Sequence, residues 1–343
     1  MSISKILQLH NLSARESLAK QLRSEIKQIQ PSGKIKVAVL HNWGDFEISL
    51  RNETPNGDGI WKNVSFLPFS AVKSPDFVLV LNSIRQWRRV VRIAPERLWF
   101  ATSEGPTAPY VEFHNGQGPA STIITSDDKK PPRSNGRVYI QAPPITPTWH
   151  VHKGYQELLN TDEIPKAKRL SWVTSNFAIL KGHRRRLAFL QQLQNHVSFD
   201  LYGRGFAPLA DKWDGLAPYR YSIAFENTIA PLYFTEKIMD CFVSHTLPLY
   251  YGSPDIAKFF PEKSMIQINP DDPNVFEKIN EIANSNLWEE RLPYILEAKH
   301  LVLTKYNTYA RLSEWLTKAA SIPATRPQYI LLKKNIPKWE LPE

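Results

Sequence analysis

The residue types best suited to holding a charged ligand gather between Tyr219 and Phe260. Asn227, Tyr233, Glu236 and Lys237 follow one another there, between the end of an apolar strand and the first turn of a helix. Lys237 brings a mobile positive charge, Glu236 can accept hydrogen bonds from ribose hydroxyls, and Tyr233 can stack on or bond to a nucleotide. A helix start adds free N–H groups and the positive end of a dipole, both favourable to phosphate. The combination suits a nucleotide diphosphate. The same residues also make an ordinary solvated helix start, with Asn227 a loop residue, and pattern alone does not separate the two.

The elements that must position these residues read as a βαβ unit. Tyr221–Phe225 is an apolar run of strand length, and Glu226 and Asn227 follow at its carboxyl end. An irregular stretch holding Pro231 leads to a helix over Phe234–Ser244, with Thr235 as its cap and Ile238, Cys241 and Phe242 on one side. A second buried-type strand, Leu247–Tyr251, is closed by Gly252-Ser253-Pro254. The polar loop thus falls outside the carboxyl ends of strands, where open α/β sheets bind ligands. A similar unit precedes it. A strand ends in Val173-Thr174-Ser175-Asn176, then comes a basic helix with Leu187, Leu190 and Leu193 on one face, then the strand Ser198–Tyr202 and Gly203-Arg204-Gly205. The cluster His183-Arg184-Arg185-Arg186 opens that helix; such clusters are commonly solvated faces or nucleic-acid patches.

FENTIAPLYFTEK followed by SHTLPLYYGSPDIAKFF resembles the C-terminal signature of glycosyltransferase family 10, the α-1,3/1,4-fucosyltransferases. The spacing from Asn227 to Tyr233 holds, Thr235-Glu236-Lys237 and Gly252-Ser253-Pro254 are intact, and Tyr251 stands where that family frequently has Trp. The resemblance implies an α/β protein of GT-B type, with two Rossmann-like domains facing across a cleft. It implies transfer of fucose from GDP-fucose to a glycan hydroxyl, with inversion. Asn227, Tyr233, Glu236 and Lys237 would then position nucleotide and sugar. An Arg of the preceding helix would contact the pyrophosphate: Arg186, in Arg-Leu-Ala-Phe, matches best and Arg184 is its rival.

The resemblance also implies a general base in the N-terminal half. Leu98–Thr102 reads as a strand followed by a Gly/Pro loop, and Glu104 stands just beyond it, in the context where the family places that base. An acidic residue in a surface loop is more often simply solvated. Glu112, Asp45 and Glu47 are the alternatives. The loops at His41–Phe46, Asn82–Trp87 and Ser103–Tyr110 would open on one sheet edge, because Ile35–Leu40 and Phe77–Leu81 also read as buried-type strands. Trp43 and Trp87 stand there either to stack on sugars or, as for most Trp residues, to pack in the core.

Composition bounds the rest. A chain of 343 residues exceeds the size at which one core splits, so two domains are expected. We place them at 1–160 for the acceptor and 161–322 for the donor, with a tail over 323–343 that packs back on the first or touches a membrane. Ser13 opens a capping box before a helix running to Gln30, and Ser126–Pro147, rich in Pro and Lys, reads as exposed connections. The net charge of +10 is spread without a continuous stripe, which argues against a nucleic-acid partner. No run approaches the ~20 apolar residues of a membrane span, and MSISKILQLH lacks a signal-peptide core. The single cysteine, Cys241, fits a reducing compartment. The expectation is a cytoplasmic enzyme, peripheral at most at the inner face of a membrane. Its partners are a GDP-sugar and an oligosaccharide or glycoconjugate acceptor. No cofactor is obligatory and no metal ligands are assigned, a divalent ion acting at most as a stimulant. A transferase of another nucleotide sugar, or an inactive nucleotide- or glycan-binding module, are the competing readings.

Overall fold

A computed structural model of the chain describes residues 35–42, 46–107, 114 and 120–334. The helix expected over Ser13–Gln30, Trp43 and the tail residue Lys338 lie outside them. The chain divides into two compact units.

The N-terminal unit opens with β1 (Ile35–His41), α1 (Phe46–Glu53), β2 (Ile60–Trp61), β3 (Val64–Pro68), β4 (Phe77–Leu81), β5 (Arg88–Ile93), β6 (Leu98–Ala101), β7 (Thr122–Thr125), β8 (Arg133–Ser134) and β9 (Arg137–Gln141). Among the described residues its sheet runs β2-β3-β1-β4-β6-β7-β9-β8. The strands from β3 to β9 in that order are parallel, and the edge strands β2 and β8 are antiparallel. Parallel strands covered on both faces need continuous apolar runs; Phe77-Val78-Leu79-Val80-Leu81 is buried throughout. β4 has the expected bounds, and β1 and β6 differ from theirs by one residue. Ser126–Pro147 departs from its reading as exposed connections. It contains β8 and β9, β9 pairs with β7, and Tyr139, Ala142 and Ile145 are buried. Three apolar residues flanked by charged and polar ones are too short a run for periodicity to register.

After α2 (Tyr155–Leu159) come β10 (Lys168–Val173), α3 (Lys181–Leu193), β11 (Asp200–Tyr202), β12 (Tyr219–Phe225), α4 (Glu236–Val243), β13 (Leu247–Tyr251), β14 (Ile266–Gln267), α5 (Val275–Ala283) and α6 (Leu287–Thr304). The strands of this C-terminal unit form a wholly parallel sheet, β11-β10-β12-β13-β14. From β10 the chain steps one way to β11 and the other way to β12, so the order reverses between β10 and β12. That is where doubly wound sheets leave a crevice for ligands. α4 is not one-sided as expected: every residue from Ile238 to Val243 is buried.

The chain then returns to the N-terminal unit with α7 (Thr308–Ala320) and β15 (Gln328–Lys333). The change of unit therefore falls at Tyr306/Asn307, not after residue 322. Side chains of α7 account for this. Arg311 donates to the carbonyls of Pro143 and Pro144 at 2.8 and 2.9 Å, and Ser313 donates to that of Trp61 at 3.0 Å. Asn307 caps the helix, accepting from the N–H of Tyr309 and Ala310. β15 pairs antiparallel with β5, and Val91, Ile93, Ile330 and Leu332 on the inner face of this ribbon join the core beside Val80 and Phe100. Trp87, just before the ribbon, is 71% exposed and does not pack in the core.

Candidate functional site

A cleft of about 210 Å³ lies at the switch point of the C-terminal unit, where open α/β sheets bind ligands. It is lined by Val173, Thr174 and Ser175 at the end of β10, Phe225 of β12, Arg186 of α3, Lys212, and Glu236 and Lys237 of α4. Two close approaches at glycine shape this end of the sheet, the first between α3 and the end of β12 and the second between the ends of β11 and β10. Gly182, in the first turn of α3, lies so close to Asn227 that a Cβ would stand 1.7 Å from the Asn227 carbonyl oxygen. Gly203, with φ +114°, lies equally tight against Thr174, and the Thr174 N–H donates to the Tyr202 carbonyl at 2.8 Å.

The basic cluster of α3 divides by helical geometry. His183 and Arg186, one turn apart, are buried, whereas Arg184 and Arg185 are exposed. Arg186 donates from Nη1 to Asn227 Oδ1 at 2.6 Å, and from Nη2 to the Ser175 carbonyl at 3.0 Å and the Phe177 carbonyl at 3.3 Å. Its Nε is buried and meets no acceptor. Arg184 instead donates to the Ile179 carbonyl at 2.8 Å, and Arg185 pairs with Asp271 at 2.5 Å. The structure thus joins Asn227 to Arg186 and not to Arg184. His183 accepts from the Leu180 N–H at 3.2 Å; burial, and then the charges of Arg186, Lys237 and Arg184, push it down to about 4, so it is neutral at pH 7.

At the start of α4, Glu226 organises the other side. This carboxylate, buried at the end of β12, accepts from the Thr235 N–H at 2.8 Å and from the Thr235 hydroxyl at 2.9 Å. Thr235 is thereby engaged with Glu226 and does not cap the helix with its side chain. Lys237 Nζ lies 3.3 Å from Glu226 Oε2 and 3.2 Å from Glu236 Oε1. Burial works against the Lys237 charge, yet Glu226 and Glu236 outweigh it and raise its pKa. Burial likewise pushes Glu236 up, but Lys237, His150 and Lys212 prevail and hold it below the usual carboxylate range. Glu226 itself is raised by burial, against the pull of Lys237. Lys212 is held by fully buried Asp240 at 2.6 Å. Asn227 and Tyr233 do not line the cleft. Asn227 reaches it through Arg186, and Tyr233 is buried beside the loop, its N–H donating to the Ala230 carbonyl at 3.1 Å.

In the N-terminal unit, Glu104 stands past the carboxyl end of β6, next to the end of β4. Asn82, with φ +57°, accepts from the Ser103 N–H at 2.7 Å and donates from Nδ2 to Glu104 Oε1 at 3.3 Å. The Glu104 N–H donates to Thr102 Oγ1 at 3.0 Å, and its carbonyl accepts from Ser126 Oγ at 3.1 Å. Burial pushes the carboxyl up to about 7, only partly offset by Asn82. A carboxylate fixed in place and poised near neutrality is suited to general-base work. Asp45 and Glu112 lie outside the described residues, as does the side chain of Glu47.

Glu226, Gly182, Lys212 and Asp240 carry weight in these sites without having been assigned a role from sequence. Gly182 had a signal, since a glycine in the opening turn of a helix is a poor helix former. Gly182→Ala tests the close approach. Ala would gain up to ~1 kcal/mol in helix propensity, but displacing a backbone carbonyl costs about 1–3 kcal/mol. We expect a lower Tm together with weaker GDP binding by calorimetry; a variant that melts higher and binds as well would remove Gly182 from the argument.

Comparison with known proteins matches residues 164–286 to the profile described as Glycosyltransferase family 10 (fucosyltransferase) C-term. The chain is similar to Alpha-(1,3)-fucosyltransferase FucT of Helicobacter pylori, 44% identical over 59 residues, covering 17% of this chain and 12% of that one. It is similar to a 3-galactosyl-N-acetylglucosaminide 4-alpha-L-fucosyltransferase of Homo sapiens, 29% identical over 109 residues, covering 30% and 29% of the two chains. The match thus spans less than a third of either relative. A crystal structure of an alpha1,3-fucosyltransferase superposes with a TM-score of 0.53 at 19% identity, covering 91% of this chain and 97% of that one, which shows a shared fold.

Proposed function

The chain belongs to glycosyltransferase family 10 through residues 164–286, and from that premise we propose that it is an inverting fucosyltransferase, moving fucose from GDP-fucose to a hydroxyl of a glycan or glycoconjugate. The observation that carries this reading is the cluster at the switch point of the C-terminal sheet, where Arg186, bonded to Asn227, and Lys237, bracketed by two carboxylates, border one cleft. In the reaction the acceptor oxygen bonds to the anomeric carbon as the bond from that carbon to phosphate oxygen breaks. Glu104 takes the acceptor proton, and GDP leaves with the bonding electrons. Arg186 and Lys237 stabilise the charge growing on the diphosphate. Glu236, held ionised, accepts from the ribose hydroxyls, while Asn227 and Tyr233 position the donor. This mechanism makes no metal obligatory. Cys241, buried and pushed by burial to about 12, is inert as a thiol, and we place the enzyme in the cytoplasm.

The test is GDP release from GDP-fucose by the full chain with a panel of glycan acceptors, with GDP-mannose and UDP-galactose as competing donors. Acceptor-dependent release fastest with GDP-fucose is expected. Faster release from either other donor would reassign the sugar, and no release with any acceptor would sink the transfer reading.

A further inference from the structure

The ribbon of β5 and β15 has an outer face that neither the fold nor the transfer reaction uses. Its register sets Arg88 opposite Lys333, Val90 opposite Leu331 and Arg92 opposite Tyr329. Val90, Leu331 and Tyr329 are 57%, 45% and 78% exposed, while the alternate residues Val91, Ile93, Ile330 and Leu332 point into the core. Past the strand ends Trp87 and Lys334 continue the ladder and, by alternation, belong to the opposite side, with Lys334 Nζ 5.5 Å from the Trp87 ring and the Lys334 N–H donating to the Trp87 carbonyl. Arg92 lies 6.0 Å from the Tyr329 ring. The face thus carries Arg88, Arg92 and Lys333 and no carboxylate, and none of the three forms an ion pair among the described residues.

Like charges directly opposite on a sheet repel, and aliphatic and aromatic side chains left in water stabilise nothing in the fold. Both features are accounted for by a partner that is anionic on its surface and apolar beneath. We propose that this face docks on an anionic lipid surface. The three cations lie at the headgroup phosphates, Tyr329 sits at the interface, and the Val90–Leu331 pair enters the acyl boundary. Nucleic acid shares the phosphate chemistry, but the centre of the face is an aliphatic pair that offers bases no platform for stacking. The inference is independent of the sugar transferred.

Flotation of the full chain with phosphatidylcholine vesicles, with and without phosphatidylglycerol, tests it. Wild type is expected to float only with the anionic vesicles and to be released by salt. The double variant Arg92→Gln/Lys333→Gln should partition roughly 30-fold less strongly at unchanged Tm. Tyr329→Ser, which keeps every charge, should also partition more weakly. Wild type that stays with the soluble fraction overturns the proposal, as does a charge variant that floats equally well. Salt-sensitive binding to duplex DNA without vesicle binding would overturn it in favour of nucleic acid.

Discussion

Replacing Glu104 by Gln lowers acceptor-dependent GDP release by roughly 10²–10⁴-fold, the range for loss of a positioned general base, and leaves GDP affinity unchanged. Gln keeps the size of the side chain and can still accept from Asn82 Nδ2, so the loss is of proton affinity, not of shape. Donor affinity should not move, because the groups assigned to the donor belong to the C-terminal unit. Release at the wild-type rate would remove Glu104 as base and return Glu112, Asp45 and Glu47 to consideration.

The pH dependence follows from the same carboxyl. A base acts when deprotonated, so kcat/KM should rise with pH through an apparent pKa near 7 and level off above it. Stability runs the other way. With its folded-state pKa raised from 4.5 to about 7, Glu104 binds more protons in the native than in the unfolded state between those values. Its contribution to stability is therefore complete below about 4.5 and is lost as pH rises through 7, a loss of up to about 3 kcal/mol. Glu104→Gln should accordingly be more stable than wild type above pH 7, and the difference should vanish in acid. A wild type and variant with parallel melting curves across pH would mean that the carboxyl is not held up by burial.

Both outcomes depend on how Glu104 is placed, and that placement was partly legible in the chain. β4 and β6 are unbroken apolar runs and β1 is interrupted only by Lys36 before its final His41, so the strands and the loops at their ends could be read from local pattern. Asn82 as the residue that orients Ser103 and Glu104 could not, since its partners lie some twenty positions away. The same limit hid the ribbon. Arg88–Ile93 shows only a short alternation, and Gln328–Lys333 reads as a tail because its partner strand is distant in sequence. Charges that look scattered along the chain become one cationic face only after that pairing. In α3 the information was present but ambiguous: four consecutive basic residues read as one patch, and helical rotation sorts them into two buried and two exposed. Glu226 was visible as a carboxylate ending a buried strand, but its grip on Thr235 and Lys237 needs the fold of the intervening loop.

Arg186→Lys should weaken GDP binding by about 10²–10³-fold, nearly as much as Arg186→Ala, although it keeps the charge. A guanidinium presents five donors in a fixed plane. Here Nη1 is directed to Asn227 and Nη2 to the Ser175 and Phe177 carbonyls, which locks the fork while Nε has no protein acceptor. A lysine ammonium in the same place would either satisfy Asn227 and the carbonyls or reach a phosphate, but it lacks the geometry for both. Burial already lowers the Arg186 pKa, so its charge is held at some cost, and a diphosphate would return more than the neutral acceptors do. A purely structural Arg186 predicts something else: a lower Tm from leaving Asn227 Oδ1 and the carbonyls without donors, about 1–3 kcal/mol, and GDP affinity that recovers once the variant is folded at low temperature. Asn227→Ala separates the two. It removes one anchor of the fork and not the phosphate ligand, so it should cost about tenfold in GDP affinity, well short of Arg186→Lys. Equal losses in Asn227→Ala and Arg186→Lys would make Arg186 a support for the loop and leave Lys237 as the principal cation facing the departing diphosphate.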